Sequence, residues 1–354
     1  MAAQDTVLVV GGGPAGLEAA VQTADLGKRV VLVEAGAGLG GTPYAHYATL
    51  TPHLQDTASL MDGILERVKT HPRIDLRTNT RVVASEGTGG DFQVTLEHAG
   101  ERTEESVGAV IVATGFQHFD PGRETQMYGY YEYDDVITLV DAERMFKTGQ
   151  VVRPSTGQPP QRVAFIQCVG SRDRQIGNTY CSKVCCGIAS KQAIEFKRHL
   201  PDAKVFIFYI DMRMYGFWED QLYWKAQEEY KVNYIRGIVT EIIRKGDQLL
   251  IKGEDTTMGR PVEVTMDLVV LSVGMEPSRG TLDMAEVFHL PREPHGFLAT
   301  AAEPLDPVST PVPGIYVAGA AAGPKDLEDS VSMGGAAAAK AVGFLNRRAE
   351  AKVG

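Results

Sequence analysis

Chemistry concentrates in one short stretch of this 354-residue chain. Its only four cysteines, Cys168, Cys181, Cys185 and Cys186, form a C-x12-C-x3-C-C array there. Thiols scattered through a core would not gather in this way, and a disulfide, a zinc ion or an iron–sulfur cluster would each explain the grouping. Adjacent residues have difficulty placing two thiolates on one small tetrahedral ion, whose ligands usually stand about two to four residues apart. A cluster with several irons offers separate corners, so Cys185 and Cys186 can each take one. Nothing in the sequence signals an oxidising compartment, which disfavours the disulfide. The array therefore favours a [4Fe-4S] cluster with the four cysteines as metal ligands, with thiol–disulfide chemistry and zinc as the alternatives.

A second chemical signal lies at the start of the chain. Thr6-Val7-Leu8-Val9-Val10 reads as a strand buried on both faces, and Gly11, Gly13 and Gly16 follow in G-x-G-x-x-G spacing. The first glycine permits a tight turn, the second lets a pyrophosphate reach the backbone, and the third lets a helix pack on the strand. A helix from Leu17 to Leu26 would direct free N–H groups and partial positive charge at that phosphate. The next strand, Arg29 to Val33, ends at Glu34, placed to bind the adenosine ribose and to repel a 2′-phosphate. A glycine-rich turn without a ligand is the alternative, and the acidic partner and strand–loop–helix context argue against it. Two later runs, Val112-Ala113-Thr114-Gly115 and Tyr316-Val317-Ala318-Gly319, resemble those of flavoproteins with two dinucleotide-binding domains, so FAD is preferred to NAD here.

After the late strand comes Ala320-Ala321-Ala322-Gly323-Pro324-Lys325-Asp326 and then a small-residue helix, Leu327 to Leu345. A helix N-terminus aimed at the flavin pyrimidine would favour negative charge on the ring, and Lys325 would add a full positive charge as a tuning residue. A solvated surface lysine is the plainer reading of Lys325.

The middle of the chain repeats the β-loop-α-β pattern. Val163 to Gln167 is a strand, Cys186 to His199 a helix, and Lys204 to Ile210 the next strand. Where a nicotinamide domain would carry its own glycine fingerprint, the sequence reads Cys168-Val169-Gly170-Ser171-Arg172-Asp173. The cysteines thus occupy the phosphate-loop position, and a helix N-terminus with loop N–H groups suits an anionic thiolate cluster equally well. Arg172, Arg174 and Lys183 are candidates to offset its charge, although each alone reads as a surface cation.

These elements imply an α/β fold with two dinucleotide-binding domains, in which a Rossmann-like FAD domain is split by an inserted NAD-domain-like unit. The expected boundaries are 1–147, 148–289 and 290–354. Net charge is −10 without a Lys or Arg block, which argues against nucleic acid. The N-terminus carries no basic, cleavable leader and no apolar run reaches about 18 residues, so a cytoplasmic protein without a transmembrane segment is expected. His46 and His53 read as packing or surface residues. Tyr128, Tyr130, Tyr131 and Tyr133 fit a packed loop or a partner surface, and Trp218 and Trp224 fit a helix packing face or an interface.

The run Phe165–Asp173, the run Tyr180–Cys186, Tyr209–Arg213 and Ala318–Leu327 with Asp329-Ser330-Val331 together resemble the flavin core of the A-type subunits of the heterodisulfide reductase family. The resemblance covers Val7 to about Ala341. It implies FAD in the split domain, with Gly11, Gly13, Pro14, Ala15, Gly16, Glu34, Ala35, Gly41, Thr42, Val82, Ala113, Thr114, Gly115, Gly319, Ala320, Lys325, Asp326 and Ser330 at the cofactor. It also implies a [4Fe-4S] cluster on the four cysteines, and a homodimer within a larger electron-transfer complex. Full-length members carry further cluster segments that have no counterpart here, and 42–60 lacks the cysteine-bearing segment expected there. One flavin and one cluster are too few carriers for a complete electron-bifurcating pathway. The short A-type subunit of the heterodisulfide-reductase-like complex of sulfur oxidisers is the nearer match. The A-type subunit of the quinone-interacting oxidoreductase of sulfate reducers and a stand-alone NAD(P)H-dependent disulfide reductase are the alternatives.

Overall fold

A computed structural model describes residues 5–46, 49–50, 55–124, 127–302 and 305–353. His53 falls outside them. The chain divides into two compact units, Met1–Ala45 with Ala58–Gln117 and Glu276–Gly354, and His46–Thr57 with His118–Met275.

The first unit is built on a five-stranded parallel sheet in the order Ile315–Val317, Ala109–Val112, Thr6–Val10, Arg29–Val33, Ile74–Arg77. Its central strands are continuous runs of Val, Leu and Ile with almost no exposure, as a sheet covered on both faces requires. A three-stranded antiparallel meander (Thr80–Thr88, Asp91–His98, Glu101–Val107) covers part of it. The helix Pro14–Asp25 begins directly after the glycine loop with Pro at its first position, where the missing N–H costs nothing. It lies against the helix Leu327–Val353 at very close range. A Cβ added to Gly334 would stand 2.4 Å from the Ala15 carbonyl oxygen, which explains the small residues of the late helix.

The second unit has a seven-stranded mixed sheet. Val136–Thr138, Leu268–Val273, Arg162–Val169, Lys204–Tyr209 and Asn233–Lys245 are parallel, and the last continues into antiparallel partners Gln248–Asp255 and Arg260–Met266. The helices Leu139–Thr148 and Cys185–His199 pack on each other, and Phe146, Phe165 and Phe196 meet edge to face in the core beneath.

The unit boundaries fall earlier than the expected 147/148 and 289/290. Val136–Thr138 is hydrogen-bonded beside Leu268–Val273, so the segment from His118 onward belongs to the inserted sheet. Met284 and Ala285 of the helix Arg279–Val287 share a core with Leu8 and Val10, so that helix belongs to the first unit.

Candidate functional site

The glycine loop has the shape its spacing implies. Gly11 adopts φ 111°, and a Cβ there would lie 2.4 Å from the Ala113 carbonyl oxygen; one on Gly16 would lie 1.8 Å from the Gly11 carbonyl oxygen. Both are glycine because backbone touches backbone. Gly13 differs: its φ is −80°, and a Cβ would meet nothing closer than the Gly41 Cα at 3.9 Å. The space in front of it is open. No side chain caps the helix Pro14–Asp25, so the Ala15 and Gly16 N–H groups, ahead of Leu17 whose N–H bonds the Gly13 carbonyl, can meet an anion.

Glu34 holds this loop in place. One carboxylate oxygen accepts from the Gly12 N–H at 2.7 Å and the other from the Gly36 N–H at 2.6 Å. A carboxylate has further lone pairs, so ribose hydroxyls can still donate to it. Gly41 and Thr42 open the short helix Gly41–His46, and Gly40 donates to the Gly12 carbonyl. Ala35 follows Glu34 at the end of its strand. Val82 has its side chain in the core shared with Val10 and Val33, which leaves only its main chain for a ligand.

The turn Ala113-Thr114-Gly115 is gripped from a direction the sequence did not reveal. Ser278 Oγ donates to the Thr114 carbonyl at 2.9 Å, Thr281 Oγ1 donates to the Gly115 carbonyl at 3.0 Å, and the Thr114 and Thr281 hydroxyls meet at 2.8 Å. Ser278 is also the N-cap of its helix, accepting from the Thr281 N–H. The S-x-x-T spacing could have marked the cap, but not its second role.

At the late strand, Gly319 takes φ 65° with Ala320 in the turn after it, and a Cβ on Gly319 would stand 2.8 Å from that of Ala15. Asp326 and Asp329 cap the next helix reciprocally, and Ser330 Oγ donates to the Asp326 carbonyl at 2.7 Å. This helix N-terminus therefore already carries carboxylates, which offset its dipole. Lys325 is half-buried beside it and pairs with no acidic group among the described residues.

In the second unit the four thiols are free. Cys168, next to last in the strand Arg162–Val169, lies in the left-handed region at φ 65°, and Arg172 and Lys183 take φ 60° and 64°. For residues with a Cβ this costs about 1–3 kcal/mol each and persists only where the surroundings impose it. Cys185 and Cys186 lie buried in the first turn of their helix, and Cys185 is hydrogen-bonded with both Cys168 and Cys186. Those bonds, with burial, push Cys185 well up. The bond from Cys185 holds Cys168 down, aided by Arg172, and draws Cys186 to about 7 against burial, aided by the Arg213 N–H. Cys181 accepts from the Lys183 N–H at 3.3 Å.

Among the described residues no three His, Cys, Asp or Glu side chains converge as a single-ion site. The donor set at the helix N-terminus is instead Cys168, Cys185 and Cys186, joined by hydrogen bonds beside Arg172 and Arg213, with Cys181 on the loop before it. That arrangement fits a group that spreads thiolates over several corners better than it fits zinc.

Asp211 follows the strand Lys204–Tyr209, where a nicotinamide domain would place its ribose-binding acid. Here it is occupied. Arg172 forks onto both carboxylate oxygens at 2.5 and 3.1 Å, and Arg213 adds a third bond at 3.2 Å. Burial would push this acid up, but the two arginines override it and hold it below the usual carboxylate range. Arg174 is exposed. Trp218 lies over Gly187, where a Cβ would come within 2.6 Å of the indole, whereas Trp224 is largely exposed. Tyr128 is buried with its hydroxyl donating to the Val239 carbonyl, Tyr131 is exposed, and the half-buried His46 stacks obliquely near His118.

The pattern of pyridine nucleotide-disulphide oxidoreductases matches residues 5–342. The chain belongs to that family. It is a flavoprotein oxidoreductase with the two-dinucleotide-binding-domain fold, and the open space at Gly13 fits the FAD the family carries. Solved thioredoxin reductases share the fold. That of T. acidophilum has 18% identity and a TM-score of 0.65, covering 96% of this chain and 98% of its own. That of Lactococcus lactis has 19% identity and a TM-score of 0.66, covering 97% and 99%. Sequence similarity is greater to an A-type iron-sulfur subunit of the CoB–CoM heterodisulfide reductase of Methanopyrus kandleri, 34% identical over 96% of this chain. The A-type subunit of the ferredoxin/F420H2-dependent CoB–CoM heterodisulfide reductase of Methanosarcina acetivorans is 32% identical over 97%. This flavoprotein spans 64% and 53% of those two relatives. No helix among the described residues is long and apolar enough to cross a membrane.

Proposed function

We propose that the chain is the FAD- and [4Fe-4S]-containing electron-transfer subunit of a heterodisulfide-reductase-like complex in cytoplasmic sulfur-compound oxidation. It would relay electrons between flavin, cluster and partner subunits, as a homodimer within the complex, with substrate conversion on a partner. The observation that carries this reading is the exchange at the second phosphate loop. Cysteines and left-handed backbone stand where a nicotinamide nucleotide would need glycines, and Arg172 and Arg213 occupy Asp211. Similarity to proteins named as heterodisulfide reductase iron-sulfur subunits supports the same assignment.

The residues have separable tasks. Gly11, Gly13 and Gly16 with Pro14 and Ala15 bring main-chain N–H groups to the dinucleotide phosphates, and Glu34 and Ala35 meet its ribose. Thr114 and Gly115, fixed by Ser278 and Thr281, and Gly319, Ala320, Lys325, Asp326 and Ser330 form the flavin-side wall. Cys168, Cys181, Cys185 and Cys186 would hold the cluster, with Arg172, Lys183 and Arg213 offsetting its charge. When bound, the flavin supplies one- and two-electron chemistry and the cluster single-electron chemistry.

The test is an iron count and visible spectrum of the anaerobically purified chain, with Cys185→Ser beside it. About four irons per chain and one flavin are expected, with most of the iron lost in the variant. An iron-free parent would remove the cluster reading, and unchanged iron in Cys185→Ser would remove Cys185 as an essential ligand.

A further inference from the structure

Two parallel strands of the second unit reach the cysteine loop out of step. Arg162–Val169 and Leu268–Val273 stay in register through Ile166 and Leu271 and resume at Val169 and Val273. Gln167 and Cys168 together therefore face Ser272 alone across a bulge. Bulges of this kind re-aim side chains beside functional sites.

Three polar side chains at this bulge have no hydrogen-bond partner among the described residues. Gln167 is 6% exposed with both amide atoms unpartnered, and Ser171 and Ser272, 2% and 0% exposed, have unpartnered hydroxyls. Gln167, Cys168 and Ser171 border one cavity of about 210 Å³. Alternation along the strand places Gln167 on the side of Phe165, whose ring meets Phe196 of the helix that starts at Cys185. Phe165 pairs with Val270, so Ser272 shares that side. Ser171 thus shares a cavity with Cys168, and Gln167 and Ser272 lie on the sheet face packed against the helix that opens with Cys185 and Cys186.

Native folds pair buried amides and hydroxyls with protein, ordered water or a bound group. We propose that Gln167, Ser171 and Ser272 donate hydrogen bonds to the sulfur atoms of the group held by the four cysteines and raise its reduction potential. This rests on the cluster reading above. Reduction adds negative charge that the sulfurs share, so donors fixed nearby favour the reduced form. They are positioning residues, neither ligands nor proton carriers. None is replaceable by an apolar group of the same shape without changing that balance.

The test is a reductive titration followed by EPR on the anaerobic full chain and on Gln167→Leu, Ser171→Ala and Ser272→Ala, with iron counted in each. Iron is expected to stay at the parental level. The reduction equilibrium is expected to fall by about tenfold per lost donor, a shift of about 59 mV to more negative potential for one electron. Ser272→Ala removes a single oxygen and remains decisive if Gln167→Leu disturbs the fold. Iron-loaded variants that all keep the parental potential would overturn this inference alone, because ordered water would then be the partner of these atoms. An iron-free parent would overturn the cluster reading and this one with it.

Discussion

A Cβ at Gly16 would fall 1.8 Å from the Gly11 carbonyl oxygen, whereas one at Gly13 would meet nothing nearer than 3.9 Å. The two glycines are thus required by different things, one by the protein's own backbone and the other by whatever occupies the open space. Gly16→Ala should push the strand–helix junction apart and cost about 1–3 kcal/mol, read by denaturant unfolding. Gly13→Ala should leave unfolding unchanged or slightly strengthened, because its backbone angles suit alanine. The same variant should bind FAD about tenfold or more weakly in a fluorescence titration, since the methyl group blocks a charge-assisted phosphate contact. Equal losses of stability in the two variants would show that Gly13 is also a packing glycine. Glu34 adds a limit to this scale, because its carboxylate already binds Gly12 and Gly36 and so shapes the loop as well as any ribose contact.

Among the elements, the helix that begins at Cys185 is anchored far from its thiols by a buried ion pair. Lys191 is bonded to Glu143 of the helix Leu139–Thr148, and Gln192 Nε2 donates to Glu143 at 2.9 Å and to the Leu139 carbonyl at 2.7 Å. Lys191→Met should destabilise the unit by about 3–5 kcal/mol, because it strands a buried carboxylate. The double variant Lys191→Met with Glu143→Leu should recover most of that loss, as replacing a buried pair by apolar side chains is often neutral or better. Urea unfolding of the two would decide it, and a double variant no better than the single one would show the pair to be net stabilising. Local elements were legible in the sequence because their signals are local. The glycine loop, the strand Thr6–Val10 and the helix after the cysteines depend on spacing and on residues a few positions apart. The unit boundaries were not legible, since Val136–Thr138 belongs with Leu268–Val273 only through strand pairing across most of the inserted unit. Ser278 and Thr281 were missed for the same reason, as the turn they hold lies more than a hundred residues earlier.

At the scale of the whole molecule, two dinucleotide-type units share one chain, yet only the first has kept a phosphate loop. The missing second fingerprint was visible in the sequence, but the fate of the ribose acid was not. Arg172 and Asp211 are 39 residues apart and meet only because the strand Lys204–Tyr209 lies beside Arg162–Val169. Arg172 and Arg213 together fill three of the roughly four acceptor sites of the Asp211 carboxylate, so a nicotinamide nucleotide would have to displace them to gain a bidentate ribose contact. It would also have to bring its pyrophosphate to Gly170 and Ser171 without the glycine spacing such an approach needs. Anaerobic mixing of the flavin-loaded chain with NADH or NADPH should therefore bleach the flavin far more slowly than the roughly 1–1,000 s⁻¹ typical of enzyme turnover. Asp211→Asn, which loosens the fork, should not restore reduction, since the phosphate loop remains absent. Bleaching within that range by either nucleotide, in the parent or the variant, would return the second unit to nicotinamide chemistry and make the vicinal cysteines a thiol pair rather than cluster ligands.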